Sequence, residues 1–306
     1  MTSSTAGAPR YREPPSRADT DRPGLGPGPA YAPAVPPFRH THDDATVWLS
    51  PLDARVGVAV VRATGEAVLE IGVYRGGWSR AVLWNVPGAQ VTGIDPYPWN
   101  GGVETRAAAL RTLAQAGGAD RFTLHASWDE LASATPDERF DVVHVDGAHD
   151  EASVVADLDR AAAVLAPGGA LVVDDIRHLE YPGLVGALHR FLVKSDFRVV
   201  ATTPQKAVVA RAGDTPALQA ALTPLLDDLG VAWRTRPFQP DVPYTADELP
   251  ATVLGCPVLL VNGPVADGIA GLAPTRAGQR TPAWRRLAHD VCPPVLARAV
   301  RRVRRR

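Results

Sequence analysis

Carboxylates end two apolar runs in the middle of the chain. Asp146 follows the run VVHV, and Asp174 and Asp175 follow the run LVV. Runs that are apolar at nearly every residue are typical of parallel strands, whose carboxyl ends meet at one edge of a sheet about 4.8 Å apart. Carboxylates that converge there raise one another's pKa or share a cation. Because oxygen ligands suit hard ions, the sequence predicts that Asp146, Asp174 and Asp175 bind Mg²⁺ or another divalent cation.

A second group of residues lies in the stretch VLEIGVYRGGWS, at 68–79. Glu70 ends an apolar run, and a turn containing Gly72 and Gly76 follows it. The spacing differs from the G-x-G-x-x-G pattern of nicotinamide-binding folds. Asp95 ends the next apolar run 23 residues after Gly72, which agrees with the interval of about 20 residues before a ribose-binding acid in such βαβ units. The alternative is a glycine turn that only packs a helix on a strand.

Three motifs together resemble the class I S-adenosylmethionine-dependent methyltransferases, and they read EIGVYRGGWS, HVDGAHDEASVVADL and APGGALVVDDI. The resemblance is to the branch with cephalosporin-hydroxylase-like proteins and macrolide-sugar O-methyltransferases, and more distantly to the catechol O-methyltransferases. It covers about residues 66–211. It implies that the glycine turn passes under the methionine part of the cofactor and that Asp95 binds both ribose hydroxyls. The cofactor-binding residues implied in this way are Glu70, Gly72, Tyr74, Gly76, Asp95, Ser127 and Asp146.

The resemblance also implies a reaction, which is methyl transfer from S-adenosylmethionine to a hydroxyl of a small molecule or sugar, as in natural-product or glycan biosynthesis. The divalent metal at Asp146, Asp174 and Asp175 would hold that hydroxyl beside the methyl group. In the catechol enzymes a lysine base stands three residues after the first metal ligand, and here that position is His149. A histidine is suitable because a base that titrates near neutrality can complete the deprotonation of a metal-bound hydroxyl. His149 and Asp146 are therefore the expected catalytic residues.

Alternatives remain open at this stage. One of Asp174 and Asp175 could point to solvent or cap the next helix, and His149 could orient a metal ligand instead of acting as a base. The enzyme could be a metal-independent methyltransferase that acts on nitrogen or on a carboxylate. The chain could also be a non-catalytic protein that keeps the cofactor fold and binds another biosynthetic enzyme.

The elements that must position these residues alternate between strands and helices from 66 to 211. This order predicts an α/β fold with a doubly wound, mostly parallel, seven-stranded sheet, the Rossmann-like methyltransferase fold, followed by a C-terminal extension. The last two runs, FRVVATTP and KAVVAR, are separated by few residues, which predicts an antiparallel hairpin at the edge of the sheet. Before the sheet, Ser50 and Pro51 are typical of the start of a helix.

The composition divides the chain into four parts. Residues 1–40 hold nine of the 29 prolines and are expected to form a disordered or surface-draped arm. Residues 41–211 are the predicted methyltransferase domain, and 212–275 form an extension that could face the substrate. Residues 276–306 contain ten arginines against one acidic residue, which defines an Arg-rich tail.

Charge and hydropathy limit the partners and the location. The formal net charge of -1 argues against nucleic acid, but the Arg-rich tail could either stay in solvent or contact anionic lipid as a peripheral membrane segment. No run reaches the roughly 18 to 20 apolar residues of a membrane span, and the N-terminus has no apolar secretory core. We therefore expect a cytoplasmic protein. Cys256 and Cys292 are too few for a metal site or a disulfide framework, and the resemblance also allows a homo-oligomer.

Overall fold

The computed structural model describes residues 38–39, 49–235 and 250–264. The predicted arm lies outside these residues except for Phe38 and Arg39, and the Arg-rich tail lies outside them entirely. The α-helices of the described part are α1 Pro51–Thr64, α2 Gly77–Asn85, α3 Gly102–Leu113, α4 Trp128–Ala134, α5 Glu151–Val164, α6 Gly183–Lys194 and α7 Thr215–Asp228, and a π-helical turn, Ala114–Gly118, follows α3. The strands of the same part are β1 Ala67–Ile71, β2 Gln90–Ile94, β3 Phe122–His125, β4 Phe140–Val145, β5 Leu165–Val173, β6 Phe197–Thr202, β7 Ala207–Arg211, β8 Val231–Arg234, β9 Thr252–Val253, β10 Cys256–Pro257 and β11 Leu259–Pro264.

One large sheet organises the molecule. Within the described residues it has nine strands in the order β3-β2-β1-β4-β5-β7-β6-β11-β8, and β9 and β10 form a separate pair. Strands β1 to β5 pair in parallel, whereas β7 runs antiparallel to both β5 and β6. This confirms the predicted doubly wound, mostly parallel α/β fold.

The sheet differs from the prediction at its far side. Strands β6 and β7 form the predicted antiparallel hairpin, but the hairpin is not at the edge of the sheet. Strand β11 pairs in parallel with β6, and β8 pairs antiparallel with β11, so the count is nine strands and not seven. The physical reason is that an uncovered β6 would leave a row of unpaired backbone groups, and the later strands satisfy part of that row.

The helices begin and end where local chemistry favours it. Helix α1 has Ser50 as its N-cap, and the Ser50 side chain accepts a hydrogen bond from the backbone N–H of Asp53. Pro51 occupies the first helical turn, as the sequence predicts. The longest helices have 14 residues, and no helix in the described part is long and apolar enough to cross a membrane.

The core consists of two apolar clusters, one on each face of the sheet. Successive strand residues alternate between them, because side chains point to opposite faces along a strand. Val68 and Val142 pack in the first cluster with α1, α2 and α7, whereas Leu69 and Val143 pack in the second cluster with α5 and α6. Strands that are apolar on both faces therefore follow from helices that cover both faces.

Leu158 offers a test of this arrangement. Its side chain on α5 is 0% exposed inside the second cluster, so Leu158→Ala should lower the free energy of unfolding by about 2–5 kcal/mol. The matched control is Leu179→Ala, because Leu179 is 95% exposed and its loss should change the stability by no more than about 0.5 kcal/mol. Urea unfolding of both variants measures the difference, and equal midpoints would contradict the placement of α5.

Candidate active site

The carboxyl ends of the parallel strands open into one cavity of about 1300 Å³. Pockets for a single small ligand usually have volumes of about 300–1,000 Å³, so this cavity has room for a cofactor together with a second molecule. Its aromatic lining residues are Tyr74, Trp78, Trp99, Trp128 and Tyr181. Its charged lining residues include Asp95, Asp146, His149, Asp174, Asp175 and Lys206.

Gly72 forms a close backbone contact in the cavity wall. Its φ is +84°, and a Cβ at this position would stand 1.9 Å from the backbone oxygen of Asp146. The N–H of Gly72 donates to the oxygen of Ile94 at 2.9 Å, and the N–H of Asp146 donates to the oxygen of Ile71 at the same distance. Only glycine fits here, because the turn after β1 passes directly against the chain that leaves β4.

Asp95, at the end of β2, is held by two backbone groups. Its Oδ2 accepts from the N–H of Tyr74 and its Oδ1 from the N–H of Tyr97, both at 2.8 Å. Burial raises the pKa of Asp95, although these two hydrogen bonds work in the opposite direction. Each carboxylate oxygen has two lone pairs, so Asp95 can accept further hydrogen bonds from a ligand in the cavity.

Strand alternation brings four polar side chains to the first core face. Glu70 lies opposite His144 in the pairing of β1 with β4, and both share the face of Val68 and Val142. In the antiparallel pair of β5 and β7, Val172 lies opposite Val208 on the same face. Asp174 stands two residues after Val172, and Lys206 stands two residues before Val208. Both side chains therefore meet beneath the cavity.

His144, Asp174 and Lys206 form what we call the inner cluster. The ammonium of Lys206 makes a close ion pair with Oδ2 of Asp174 and lies 3.1 Å from Nε2 of His144. The His144 ring stacks on Trp78 with centroids 4.4 Å apart, and its Nδ1 lies 3.4 Å from Oε1 of Glu70. Since Lys206 donates towards Nε2, the proton of a neutral His144 belongs on Nδ1.

The ion pair sets the charge states in the inner cluster. Burial works to raise the pKa of Asp174, but the Lys206 ammonium and His144 outweigh it, and the pKa lies well below its ordinary value. Burial works to lower the pKa of Lys206, but the carboxylates of Asp174, Asp146 and Asp53 outweigh it and raise that pKa. Asp174 is therefore a carboxylate and Lys206 an ammonium at neutral pH.

Asp146, His149 and Asp175 form what we call the outer cluster, which lies in the loop between β4 and α5 and just after β5. Nε2 of His149 lies 3.0 Å from Oδ2 of Asp175 and 3.9 Å from Oδ1 of Asp146. The hydrogen bond to Asp175 raises the pKa of His149. Burial, followed by the charge of Asp174, raises the pKa of Asp146 to about 8, although the side chain keeps 30% of its surface open to the cavity.

The structure separates the three carboxylates that the sequence predicts as metal ligands. Asp174 points to Lys206 and Asp175 points to His149. Asp174 continues the alternation of β5, whereas Asp175 turns away with a left-handed backbone, φ +52°. Within the described residues, the sets with donor atoms within 4.8 Å of one another are Asp146 with His144 and Asp174, and Asp146 with His149 and Asp175. The outer cluster fits a divalent ion by its donors, whereas the inner cluster already contains an ammonium.

A family comparison agrees with this geometry. Residues 69–176, which run from β1 to the end of β5, match the family model of a methyltransferase domain, Methyltransf_24. The match indicates a methyltransferase domain in this part of the chain. The matched residues contain the glycine turn, Asp95, the outer cluster and all of the inner cluster except Lys206.

Solved structures of methyltransferases are similar to this chain. The O-methyltransferase TomG from Streptomyces achromogenes, solved with S-adenosylmethionine, is 20% identical over 54% of this chain and 82% of its own, with a TM-score of 0.44. An O-methyltransferase from Bacillus cereus, solved with S-adenosylhomocysteine, is 17% identical over 53% of this chain and 80% of its own, with a TM-score of 0.42. No curated protein matches the sequence.

Not all the predicted cofactor residues of the methyltransferase domain face the cavity. Gly72, Tyr74, Asp95, Ser127 and Asp146 line it, whereas two others lie behind the wall. Glu70 is buried and accepts a hydrogen bond from the hydroxyl of Ser79. A Cβ on Gly76 would stand 2.9 Å from Leu113, so Gly76 serves helix packing. Ser127 caps α4 by accepting from the N–H of Glu130.

Sequence reasoning missed Lys206. The sequence predicts the strand KAVVAR and its antiparallel pairing with FRVVATTP, but not its pairing with β5, so the lysine at its start has no assigned place. The available signal is the alternation of side chains along the strand, because Lys206, two residues before Val208, points to the same face of the sheet. That signal becomes useful only once β7 is known to run antiparallel to β5.

The tight contact at Gly72 can be tested by substitution. Gly72→Ala adds a Cβ against the Asp146 backbone, so it should destabilise the fold and weaken binding of S-adenosylhomocysteine, measured by urea unfolding and calorimetry. The control is Gly168→Ala, because Gly168 also has a positive φ of +75° but has nothing within 4 Å of its added Cβ. Gly168→Ala should cost about 1–2 kcal/mol, and Gly72→Ala about 1–3 kcal/mol more. Equal losses would show that Gly72 makes no such contact.

Proposed function

We propose that the protein transfers a methyl group from S-adenosylmethionine to a hydroxyl of a small molecule or sugar, with His149 as the general base. The observation that carries the proposal is the hydrogen bond of 3.0 Å between His149 and Asp175, in the cavity that also contains the glycine turn and Asp95. A base, a group that orients it and a cofactor site in one cavity are the parts that such a transfer needs.

The cofactor fits one end of the cavity. The remaining lone pairs of Asp95 are suited to the two ribose hydroxyls, and the backbone at Gly72 leaves room for the methionine part. Tyr74 and Ser127 complete that wall. When bound, the cofactor supplies a sulfonium methyl carbon that reacts with a nucleophile. The residues of this end therefore bind and orient, and they move no proton.

His149 is suited to remove the proton of the acceptor hydroxyl. With its Nε2–H donated to Asp175, the neutral imidazole has its lone pair on Nδ1, and that atom accepts the proton. The hydrogen bond to Asp175 raises the pKa of His149, which makes the imidazole a stronger base. Tyr181 packs on the ring with centroids 4.5 Å apart and limits its rotation. Because His149 keeps 29% of its side chain exposed, the proton can leave to solvent after the transfer.

A metal-assisted version is the second candidate, and the donor set of the outer cluster favours it. Asp146, His149 and Asp175 would hold the ion, and a divalent ion there would lower the pKa of the acceptor hydroxyl. With an imidazole among the donors, Mn²⁺, Fe²⁺ or Zn²⁺ suits the set as well as Mg²⁺ does. In this version His149 is a ligand and not a base, so the two versions exclude each other.

Substitution of His149 tests the proposed base. His149→Ala should lower kcat by about 10²–10⁴, because no other group takes the proton, and should leave the affinity for S-adenosylhomocysteine within about twofold of the wild type. Transfer of labelled methyl groups to a panel of sugars, diols and phenols measures the rate, and calorimetry measures the affinity. His189→Ala is the control, because His189 is exposed on α6 and does not line the cavity. An unchanged kcat in His149→Ala would contradict the proposal.

Chelation separates the two versions. Because the base version needs no ion, protein treated with EDTA should keep at least about half of its rate. A rate that falls by about tenfold or more and returns with added Mn²⁺ would support the metal version. Binding of S-adenosylhomocysteine without turnover of any acceptor would instead support a non-catalytic partner protein.

A further inference from the structure

Lys206 has no role in the proposed transfer, yet it stands where the sequence predicts a cation. His144, Asp146 and Asp174 have donor atoms within 4.8 Å of one another, which is a spacing that suits a metal ion. The ammonium of Lys206 is in contact with Asp174 and 3.1 Å from His144. The side chain is 1% exposed, and it lines the floor of the cavity.

The fold holds this ammonium in place. The N–H of Lys206 donates to Oγ1 of Thr203 at 2.8 Å, and the hydroxyl of Thr203 donates to Oδ1 of Asp53 on α1 at 2.7 Å. The next residue, Ala207, is already paired with Val173 of β5. The backbone at Lys206 is therefore fixed at the start of β7, and a buried ammonium that loses its carboxylate is strongly disfavoured.

We infer that Lys206 is a built-in cation that takes the place of a divalent metal at Asp174, and that it positions His144 and Asp174 beneath the cavity. Asp174 thus contributes to the site through an ion pair and not through metal coordination. The lysine supplies one positive charge close to Asp146, where the three carboxylates would otherwise repel one another. Asp146 remains available to the outer cluster because Lys206 neutralises Asp174 without a metal ion that Asp146 would have to share.

The inference about the metal does not depend on methyl transfer, but its catalytic consequence rests on the proposed function. Because Lys206 neutralises Asp174, the carboxylate in the cavity floor repels an anionic acceptor oxygen less than an unpaired carboxylate would. Lys206 acts through the charge that it maintains, so it is a positioning residue. If Lys206 takes the place of a metal, its removal should let His144, Asp146 and Asp174 bind one. The affinity for a metal ion is therefore what the test measures.

Mn²⁺ is the probe. The electron paramagnetic resonance signal of free Mn²⁺ decreases as the ion binds and so measures its affinity for each protein. All four proteins carry His149→Ala, which removes one donor of the outer cluster. The first carries no other change, the second adds Lys206→Met, the third adds Lys206→Met and Asp174→Asn, and the fourth adds Asp174→Asn alone. We expect the second protein to bind Mn²⁺ about tenfold or more tightly than the first, because His144, Asp146 and Asp174 become free to bind metal, and the third to lose this gain. The fourth should bind Mn²⁺ like the first, because Asp174 is not a ligand while Lys206 is present.

Two results would overturn the inference. One is a second protein that folds but gains no Mn²⁺ affinity over the first, and the other is a fourth protein whose affinity falls about tenfold below that of the first. The second protein leaves a buried carboxylate without its cation and the fourth leaves a buried ammonium without its carboxylate, whereas the third removes both charges. If the second and fourth unfold while the third folds, the result supports the ion pair as the group that neutralises Asp174, and a second and a third protein of equal stability would count against it. Circular dichroism and titration with S-adenosylhomocysteine accompany each protein. Loss of cofactor binding in all four would count against the proposed function, whereas the metal results would stand.

Discussion

The alternation of side chains along each strand is the constraint on which the site depends. At the carboxyl edge of the sheet, the face of Val68 and Val142 collects Glu70, His144 and Asp174, while Asp175 turns to the other side and meets His149. Asp174 continues the alternation of β5, whereas Asp175 has a left-handed backbone with φ +52°. The pair of aspartates after β5 therefore serves two clusters, and the cavity lies where the two core faces end.

The direction of β7 gives the inner cluster its cation. Strand β7 runs antiparallel to β5, so its first residues lie at the edge where the parallel strands end. Lys206 at the start of β7 thus meets Asp174 at the end of β5 without any loop that reaches across the site. Strand β11 pairs with β6 of the same hairpin and so extends the sheet. The antiparallel direction of β7 brings the buried ammonium of Lys206 to Asp174.

Much of this architecture can be predicted from the sequence, because it depends on local patterns. Apolar runs and helix caps indicate the alternating elements, and the glycine turn with Asp95 indicates a cavity at the strand ends. The rest depends on pairing, which a single sequence does not encode locally. Lys206 is one charged residue before a strand, and its partner is 32 residues away. The same reason explains why β8 and β11 could not be placed, since their register is set by contacts distant along the chain.

The division between sheet and loops suggests how such a site acquires its acceptor. Asp146, Asp174 and Asp175 directly follow β4 and β5, and Lys206 directly precedes β7, so the pairing of the sheet fixes the backbone beside them. Some of the aromatic residues that line the cavity instead come from loops. Two of them, Tyr74 and Trp99, are 36% and 42% exposed, and their ring centroids lie 6.1 Å apart. Apolar surface left open beside polar groups is the usual composition of a ligand site. For the proposed methyl transfer, a change of acceptor therefore requires new residues in the loops. The inner and outer clusters depend on the strands of the sheet and can remain unchanged.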